Sequence, residues 1–129
     1  MTSPDSPCRH IAIVDDNADV RAALSSLLRS CGYSTHAYES ALALLAGPRA
    51  EGYYCIISDL QMPGMSGIEL LEHLRREGDL TPLIILTAFP ESALRLRALK
   101  NGAICFLSKP CDANELLRCL QHSVAADLP

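Results

Sequence analysis

The sequence predicts an α/β fold in which five parallel strands form one sheet covered by helices on both faces. Short apolar runs of strand length alternate with segments of helical periodicity, and this alternation occurs five times. The 129 residues suffice for one ordinary domain but not for two. With 49% hydrophobic and 20% charged residues, the composition is that of a globular chain.

The first two strand–helix pairs are predicted before residue 48. Residues 10–14 form an apolar run that fits a buried strand, and the helix after it ends at Gly32. Residues 33–38 alternate like a second strand, and Ser40 can cap a helix that stops at Gly47-Pro48. The apolar face of the first helix is expected to carry Val20, Leu24, Leu27, Leu28 and Cys31.

The other three strand–helix pairs follow in the same alternation. Strands are predicted at residues 53–58, 83–86 and 103–107. Helices are predicted to begin at Ser66 and Asp112 as caps, and at Pro90 as a first helical residue. Apolar helix positions are expected at Ile68, Leu71, Leu74, Leu116, Leu117, Leu120 and Val124.

Charge and composition exclude several classes of protein. The net charge of -4 lacks the basic footprint of a nucleic-acid-binding domain. No apolar run reaches the roughly 20 residues of a membrane span, so we expect a cytoplasmic protein that does not contact membranes. Its six cysteines lack zinc-binding spacing and are expected to be reduced. We predict a flexible leader at residues 1–8, a domain at 9–124 and a tail or linker start at 125–129.

Polar residues stand where the predicted strands end. In a parallel sheet these ends form one edge, and ligands bind in the crevice outside it. We therefore expect five side chains that are distant in sequence to meet in one site: Asp15, Asp16, Asp59, Thr87 and Lys109.

Three crowded carboxylates need a compensating cation, and a hard divalent ion such as Mg²⁺ suits oxygen ligands. Asp15, Asp16 and Asp59 could hold it, and Mg²⁺ often also coordinates a phosphate oxygen. A carboxylate can act as a nucleophile and form an aspartyl phosphate. Lys109 could then pair with the phosphate, and the Thr87 hydroxyl could donate a hydrogen bond to it.

Four segments in this order resemble the CheY-like receiver domain of two-component response regulators. They are Val14-Asp15-Asp16-Asn17, Asp59-Leu60-Gln61-Met62-Pro63-Gly64-Met65-Ser66-Gly67, Leu86-Thr87-Ala88 and Phe106-Leu107-Ser108-Lys109-Pro110. The resemblance covers roughly residues 9 to 124. It implies a flavodoxin-like, doubly wound (βα)5 fold with the strand order 2-1-3-4-5.

The resemblance also implies a role for each matching position. Asp59 matches the phosphoacceptor, and Lys109 matches the phosphate-binding lysine. Thr87 and Phe106 match the switch pair, and the Lys109-Pro110 bond is expected to be cis. The Mg²⁺ (or Mn²⁺) ligands are expected to be Asp15, Asp16, Asp59 and the backbone carbonyl of Gln61.

The implied partner is a histidine kinase or a phosphotransfer protein, and the domain catalyses only its own phosphorylation and dephosphorylation. Phosphorylation is expected to draw Thr87 inward, so that Phe106 turns inward and the surface of the fourth helix, fifth strand and fifth helix changes. A homodimer through the fourth helix and fifth strand is implied on analogy alone. The motif context resembles receivers that carry a helix-turn-helix transcription domain. A stand-alone single-domain regulator remains an alternative.

Four positions either depart from the family pattern or flank the expected phosphate. Cys111 stands where phenylalanine is common, and Pro90 stands where glycine or alanine is common. Pro90 is expected to stiffen the loop after the fourth strand. Gln61 and Phe89 flank the phosphate two residues after Asp59 and Thr87, and bulky Phe89 is expected to hinder the attacking water.

Other interpretations compete with these. Asp15-Asp16 could be an acidic helix start, Phe106 a core residue, and the Arg95/Arg97 pair a solvated helix face. A flavodoxin-like cofactor binder would need a hydroxyl- and glycine-rich phosphate loop after the first strand. A protein-binding pseudo-receiver usually lacks an acid or the lysine, and an aspartate-nucleophile phosphatase normally has Asp-x-Asp after its first strand.

Overall fold

A computed structural model describes the backbone of residues 9–47 and 52–127 and the side chains of residues 9–47 and 52–121. The predicted leader, Pro48, the Val124 side chain and the end of the predicted tail lie outside these residues. The predicted domain boundaries therefore stay predictions.

The five strands are β1 (His10–Val14), β2 (Ser34–Tyr38), β3 (Cys55–Asp59), β4 (Leu83–Thr87) and β5 (Cys105–Ser108). They are parallel and form one sheet in the order β2-β1-β3-β4-β5, which confirms the expected fold class and strand order. β1 lies between β2 and β3, since Val14 pairs with Tyr38 on one side and Ser58 on the other.

A helix follows each strand: α1 (Ala18–Ser30), α2 (Ala41–Ala46), α3 (Gly67–Arg76), α4 (Ser92–Lys100) and α5 (Ala113–Asp127). The expected cap at Ser40 is confirmed, because its side chain accepts the Ala43 amide. Ser66 and Glu69 form a reciprocal capping box at the start of α3. At α5, the Asp112 side chain accepts the Asn114 amide at 3.3 Å.

The predicted start of α4 at Pro90 is wrong. The helix begins at Ser92, and its N-cap residue is Glu91, whose backbone is extended at φ -119° and ψ 139°. Pro90 fixes only its own φ and biases Phe89 towards extended backbone, so it ends the loop rather than starting the helix. The expected cis bond between Lys109 and Pro110 is present.

Two apolar layers enclose the sheet. On one face α2, α3 and α4 pack against alternate strand residues such as Val14 and Ile56. On the other face α1 and α5 pack against Ile13, Ile57 and Ile84. Burying each such side chain contributes about 1.5–3 kcal/mol to the free energy of folding. The strands, and with them their ends, are therefore held by an apolar layer on each face of the sheet.

Two expectations about cysteines are wrong. Cys31 is exposed at the end of α1 and does not belong to its apolar face. Cys105 in β5 and Cys119 in α5 form a disulfide, although all cysteines were expected to be reduced. The two sulfurs lie within one packed layer, a proximity that the spacing of 14 residues does not reveal.

Among the residues that the structure describes, no helix has both the length and the apolar character needed to cross a membrane.

Candidate functional site

One edge of the sheet collects the polar residues that the sequence singled out. Asp59 and Thr87 are the last residues of β3 and β4. Asp15 and Lys109 directly follow β1 and β5. The parallel register places Asp59 beside Leu86, and Thr87 beside Ser108.

Three carboxylates meet at this edge. Asp15, Asp16 and Asp59 each offer an oxygen atom, and these atoms all lie within 4.8 Å of one another. The Asp15 and Asp59 side chains are buried, whereas Asp16 is exposed. The cluster is therefore open to solvent on the Asp16 side.

Lys109 spans two of the carboxylates. Its Nζ atom lies 2.8 Å from Asp15 Oδ2 and 3.3 Å from Asp59 Oδ1. One ammonium thus faces three carboxylates, which leaves the cluster with an excess of negative charge if all are ionised.

The pKa values reflect this crowding. Burial raises the pKa of Asp59, and the nearby charges of Asp15 and Asp16 raise it further, although Lys109 opposes them. Burial alone would lower the pKa of Lys109, but its contacts with Asp15 and Asp59 outweigh burial and the pKa is raised. A cation bound between the carboxylates would favour their charged forms.

The Thr87 side chain is fully buried beside the cluster. Its Oγ1 atom accepts a hydrogen bond of 3.1 Å from the amide of Phe89. A threonine hydroxyl has one proton to donate, and that proton can serve an oxygen atom held near Asp59. The Phe89 ring is 64% exposed, so it stands at the solvent side of the site.

Asp15 is fixed by groups that sequence reasoning did not assign. The amide of Asn17 donates to its Oδ1 atom at 2.9 Å, and Arg21 Nη1 donates to its backbone oxygen at 2.7 Å. Asn17 was recognisable as a cap residue just before a helix. Nothing in the sequence marked Arg21, because its reach back across six residues depends on its rotamer.

Gly67 touches the backbone of the central aspartate. A Cβ atom at this position would lie 2.5 Å from the Asp59 carbonyl oxygen and 3.0 Å from Ile85 Cδ1. Its amide donates to Leu60 O at 2.9 Å, which closes the loop between β3 and α3. A glycine within a turn-rich loop was a signal for such a close approach.

Phe106 is already buried in this structure, at 7% exposure, within the layer that contains Ala98 of α4. It was expected to turn inward only after phosphorylation. The adjacent cavity of about 200 Å³ is lined by Phe106, Pro90, Glu91, Ser92, Arg95 and Ser108. An inward turn of Phe106 is therefore not needed to reach the buried position.

The residues present fit a hard divalent cation. All side-chain donors of the cluster are carboxylate oxygens, which Mg²⁺ and Mn²⁺ prefer over nitrogen or sulfur ligands. The exposed side of the cluster leaves room for the water ligands that Mg²⁺ retains. Gln61, two residues after Asp59, is exposed, and its role as a carbonyl ligand stays a prediction.

Comparison with family models gives a match over residues 11–121 to the response regulator receiver domain. This match includes every residue of the site and all five strands except His10, the first residue of β1.

Named relatives are transcriptional and response regulators. The chain is 33% identical over 115 residues to the transcriptional regulatory protein FixJ of Bradyrhizobium diazoefficiens, a match of 89% of the chain and 56% of FixJ. It is 35% identical over 114 residues to the response regulator protein TodT of Pseudomonas putida, a match of 88% of the chain and 50% of TodT. The chain thus spans about half the length of these relatives.

Among solved structures, the crystal structure of FixJ-N superposes with a TM-score of 0.85 at 28% identity. The superposition covers 96% of this chain and 99% of FixJ-N.

Proposed function

The chain belongs to the response regulator receiver domain family, and from that premise we propose that it is the phosphoacceptor domain of a two-component signalling system. Asp59 accepts a phosphoryl group from a histidine kinase or a phosphotransfer protein. The observation that carries the proposal is the position of Asp59 within the cluster of three carboxylates, 3.3 Å from the Lys109 ammonium.

Asp59 is the nucleophile of the transfer. One of its carboxylate oxygens attacks phosphorus, and the bond between phosphorus and the donor imidazole nitrogen breaks. That nitrogen keeps the electron pair, and because the other ring nitrogen of the donor carries a proton, the donor leaves as neutral imidazole. Such transfer depends chiefly on positioning and on neutralisation of charge.

Lys109 and Thr87 hold the transferred group. The Lys109 ammonium already contacts an Asp59 oxygen and can follow the charge outward to a phosphoryl oxygen. The buried Thr87 hydroxyl can donate its proton to another phosphoryl oxygen. Asn17 and Arg21 keep Asp15 in place while these charges are rearranged.

Asp15, Asp16, Asp59 and the backbone carbonyl of Gln61 would hold Mg²⁺ or Mn²⁺. When bound, the ion supplies positive charge that offsets the carboxylates and the phosphoryl oxygens.

Removal of the phosphoryl group is the only other reaction that we propose for the domain. Water must approach phosphorus past the side chains of Gln61 and Phe89, which are both exposed at the mouth of the site. The domain is a signalling switch and not a metabolic enzyme.

The proposed output is a change in the surface of α4, β5 and α5. Thr87 moves towards the phosphoryl group, and Phe106 and α4 respond. α4 is suited to this because Ala98 is its only buried residue. Since FixJ and TodT are transcriptional and response regulators, we propose control of transcription from the cytoplasm, with a homodimer through α4 and β5 as one means.

The test is incubation with Mg²⁺ and acetyl phosphate followed by intact mass measurement. Wild type is expected to gain one phosphoryl group and Asp59→Asn none. Asp79→Asn is the matched control, because Asp79 is an aspartate away from the site in the loop after α3, and it should label like wild type. A wild type that stays unlabelled with acetyl phosphate and with phosphoramidate would contradict the proposal and favour a protein-binding pseudo-receiver.

A further inference from the structure

Cys105 and Cys119 form a disulfide between the edge strand of the sheet and the last helix. Their Cα atoms are 6.3 Å apart, a separation within the range of native disulfides. Cys119 is buried at 6% exposure, and Cys105 is half-buried. The backbone therefore brings the two sulfurs together without any displacement of β5 or α5.

The described part of α5 is attached to the sheet by few groups besides this bond. Leu116 and Leu120 are buried in the same layer as Cys119, and Tyr54 Oη donates to the backbone oxygen of Leu120 at 3.2 Å. Among the described residues, the disulfide is the one covalent link between α5 and β5 besides the backbone that joins them. Its loss would leave apolar packing and this hydrogen bond to hold the helix.

We propose that Cys105 and Cys119 form a reversible redox site that fastens α5 to β5 when oxidised. In the cytoplasm, the compartment proposed above, thiols are kept reduced, and the disulfides that do form there are usually transient and redox-sensing. The oxidant is a low-molecular-weight disulfide such as oxidised glutathione, and the reductant is the corresponding thiol.

The exchange balances without any further reagent. Cys105, the more accessible partner, loses its proton to solvent, and its thiolate attacks one sulfur of the small disulfide, which releases one small thiolate. The Cys119 thiolate then attacks the Cys105 sulfur of this mixed disulfide and releases the second small thiolate. Two protein thiols and one small disulfide thus become one protein disulfide and two small thiols.

The other described cysteines are placed less favourably. Cys31 is exposed on α1, and Cys55 is fully buried in β3. Burial also raises the pKa values of Cys55 and Cys111, which disfavours their thiolates. Among the described cysteines, geometry therefore singles out Cys105 and Cys119, whose sulfurs meet.

The consequence for signalling rests on the proposed function. The bond closes the segment from Cys105 to Cys119, which contains Phe106 and Lys109. Lys109 contacts Asp15 and Asp59 in the closed form, so phosphorylation of Asp59 is compatible with the disulfide. Movement of β5 and α5 after phosphorylation is restrained, so oxidation uncouples the acceptor from the output surface.

The redox site can be tested without phosphate. The 129-residue chain is equilibrated in glutathione buffers of graded ratio, free thiols are trapped with iodoacetamide, and peptides are mapped by mass. Cys105 and Cys119 are expected to lose two thiols in one cooperative step, with a rise in Tm on the order of 10 °C. Cys105→Ser and Cys105→Ala should abolish both changes, while Cys111→Ser and Cys31→Ser retain them.

Three outcomes of this test would overturn the proposal. Cys105 and Cys119 could stay reduced at every glutathione ratio, the bond could resist reduction at every ratio, or glutathione could label only one of the two cysteines. Circular dichroism of the two Cys105 variants establishes that they are folded.

A second measurement tests the coupling. Amide hydrogen exchange of residues 105–119 is compared with and without acetyl phosphate, in the oxidised and the reduced protein. The change on phosphorylation is expected to be several-fold smaller when oxidised, and equal changes would refute the uncoupling. If Asp59 takes no phosphoryl group in either form, the proposed function fails, while thiol trapping still decides the redox site.

Discussion

The Phe89 ring lies at the solvent side of the site and is not part of its charged cluster. Its amide is fixed by Thr87, whereas its ring is 64% exposed. We expect Phe89→Ala to shorten the phosphoryl lifetime a few-fold, because water then reaches phosphorus with less steric hindrance. The decay of phosphorylated protein is followed by intact mass.

Leu96→Ala is the matched control for Phe89, since Leu96 is an equally exposed apolar residue of α4 that does not flank the site. It should leave the lifetime unchanged. An unaltered lifetime in Phe89→Ala would show that water approaches from another side.

Gly67 is needed because the Asp59 carbonyl occupies the space of a side chain. Gly67→Ala would bring Cβ within 2.5 Å of that oxygen, so the Asp59 backbone must shift. We expect a lower yield of phosphorylation as well as a lower Tm, since a small misplacement of the nucleophile slows the reaction. Labelling by acetyl phosphate and thermal unfolding measure the two effects.

Ser66→Ala provides the comparison for Gly67 at the neighbouring position. It removes the cap of α3 and should cost about 1 kcal/mol of stability, but it leaves the Asp59 carbonyl untouched. Equal labelling losses in both variants would mean that helix stability, and not the position of Asp59, limits phosphorylation.

At the scale of elements, α4 is tied to α3 by a charged contact. Arg97 donates to both oxygens of Glu72, at 2.9 and 2.7 Å, and Asn101 donates to the same carboxylate at 3.2 Å. Arg97 is exposed, as the prediction of a solvated helix face requires, but the sequence did not reveal its partner. Its partner lies 25 residues away, and only the packing of two helices brings them together.

This contact predicts a specific pH dependence. The hydrogen bond from Arg97 lowers the pKa of Glu72 below its ordinary value of 4.5. A lowered pKa in the folded state stabilises the protein above the unfolded value, and this stabilisation is lost as the pH falls through the folded value. Glu72→Gln should therefore lower Tm slightly at neutral pH, and the difference should vanish under acid conditions.

Thermal unfolding from pH 7 down to pH 3 measures this, with Glu77→Gln at the end of the same helix as control. The effect is small because the side chain of Arg97 is half exposed and the contact is screened by salt. A Tm difference that persists under acid would assign the effect to packing instead of charge.

Most element boundaries could be predicted because local chemistry sets them. The strands lie where the apolar runs predicted them, and Ser40 and Ser66 cap helices as expected. The strand order that the family resemblance implied also agrees with the structure. The start of α4 could not be predicted, because proline is compatible both with the first helical turn and with the loop before it. The disulfide depends on the packing of α5 across β5, which sequence spacing does not encode.

At the scale of the whole molecule, the sheet brings five residues that are distant in sequence together in one site. Their convergence could be predicted, since any parallel sheet gathers its strand ends at one edge. Two contacts of Asp15 could not be predicted, namely its ion pair with Lys109 and the hydrogen bond from Arg21 to its backbone oxygen. They depend on rotamers and on a charge balance within the folded protein.

The same charge balance links the binding of a cation at the site to the stability of the whole protein. A cation that binds only the folded state stabilises it by about 2.7 kcal/mol at a hundred times its dissociation constant. Wild type should therefore show a rise in Tm of several degrees on addition of Mg²⁺. Differential scanning calorimetry across a magnesium series measures this rise.

Asp16→Asn separates the metal site from an ordinary acidic helix start. If Asp16 mainly complements the dipole of α1, its removal lowers Tm with or without Mg²⁺. If it crowds Asp15 and Asp59, its removal relieves repulsion, so Tm rises without Mg²⁺ and the response to Mg²⁺ weakens. We expect the second pattern. Asp19→Asn, in the first turn of α1, is the control and should lower Tm slightly but keep the full response to Mg²⁺. A full response to Mg²⁺ in Asp16→Asn would instead remove Asp16 from the set of metal ligands.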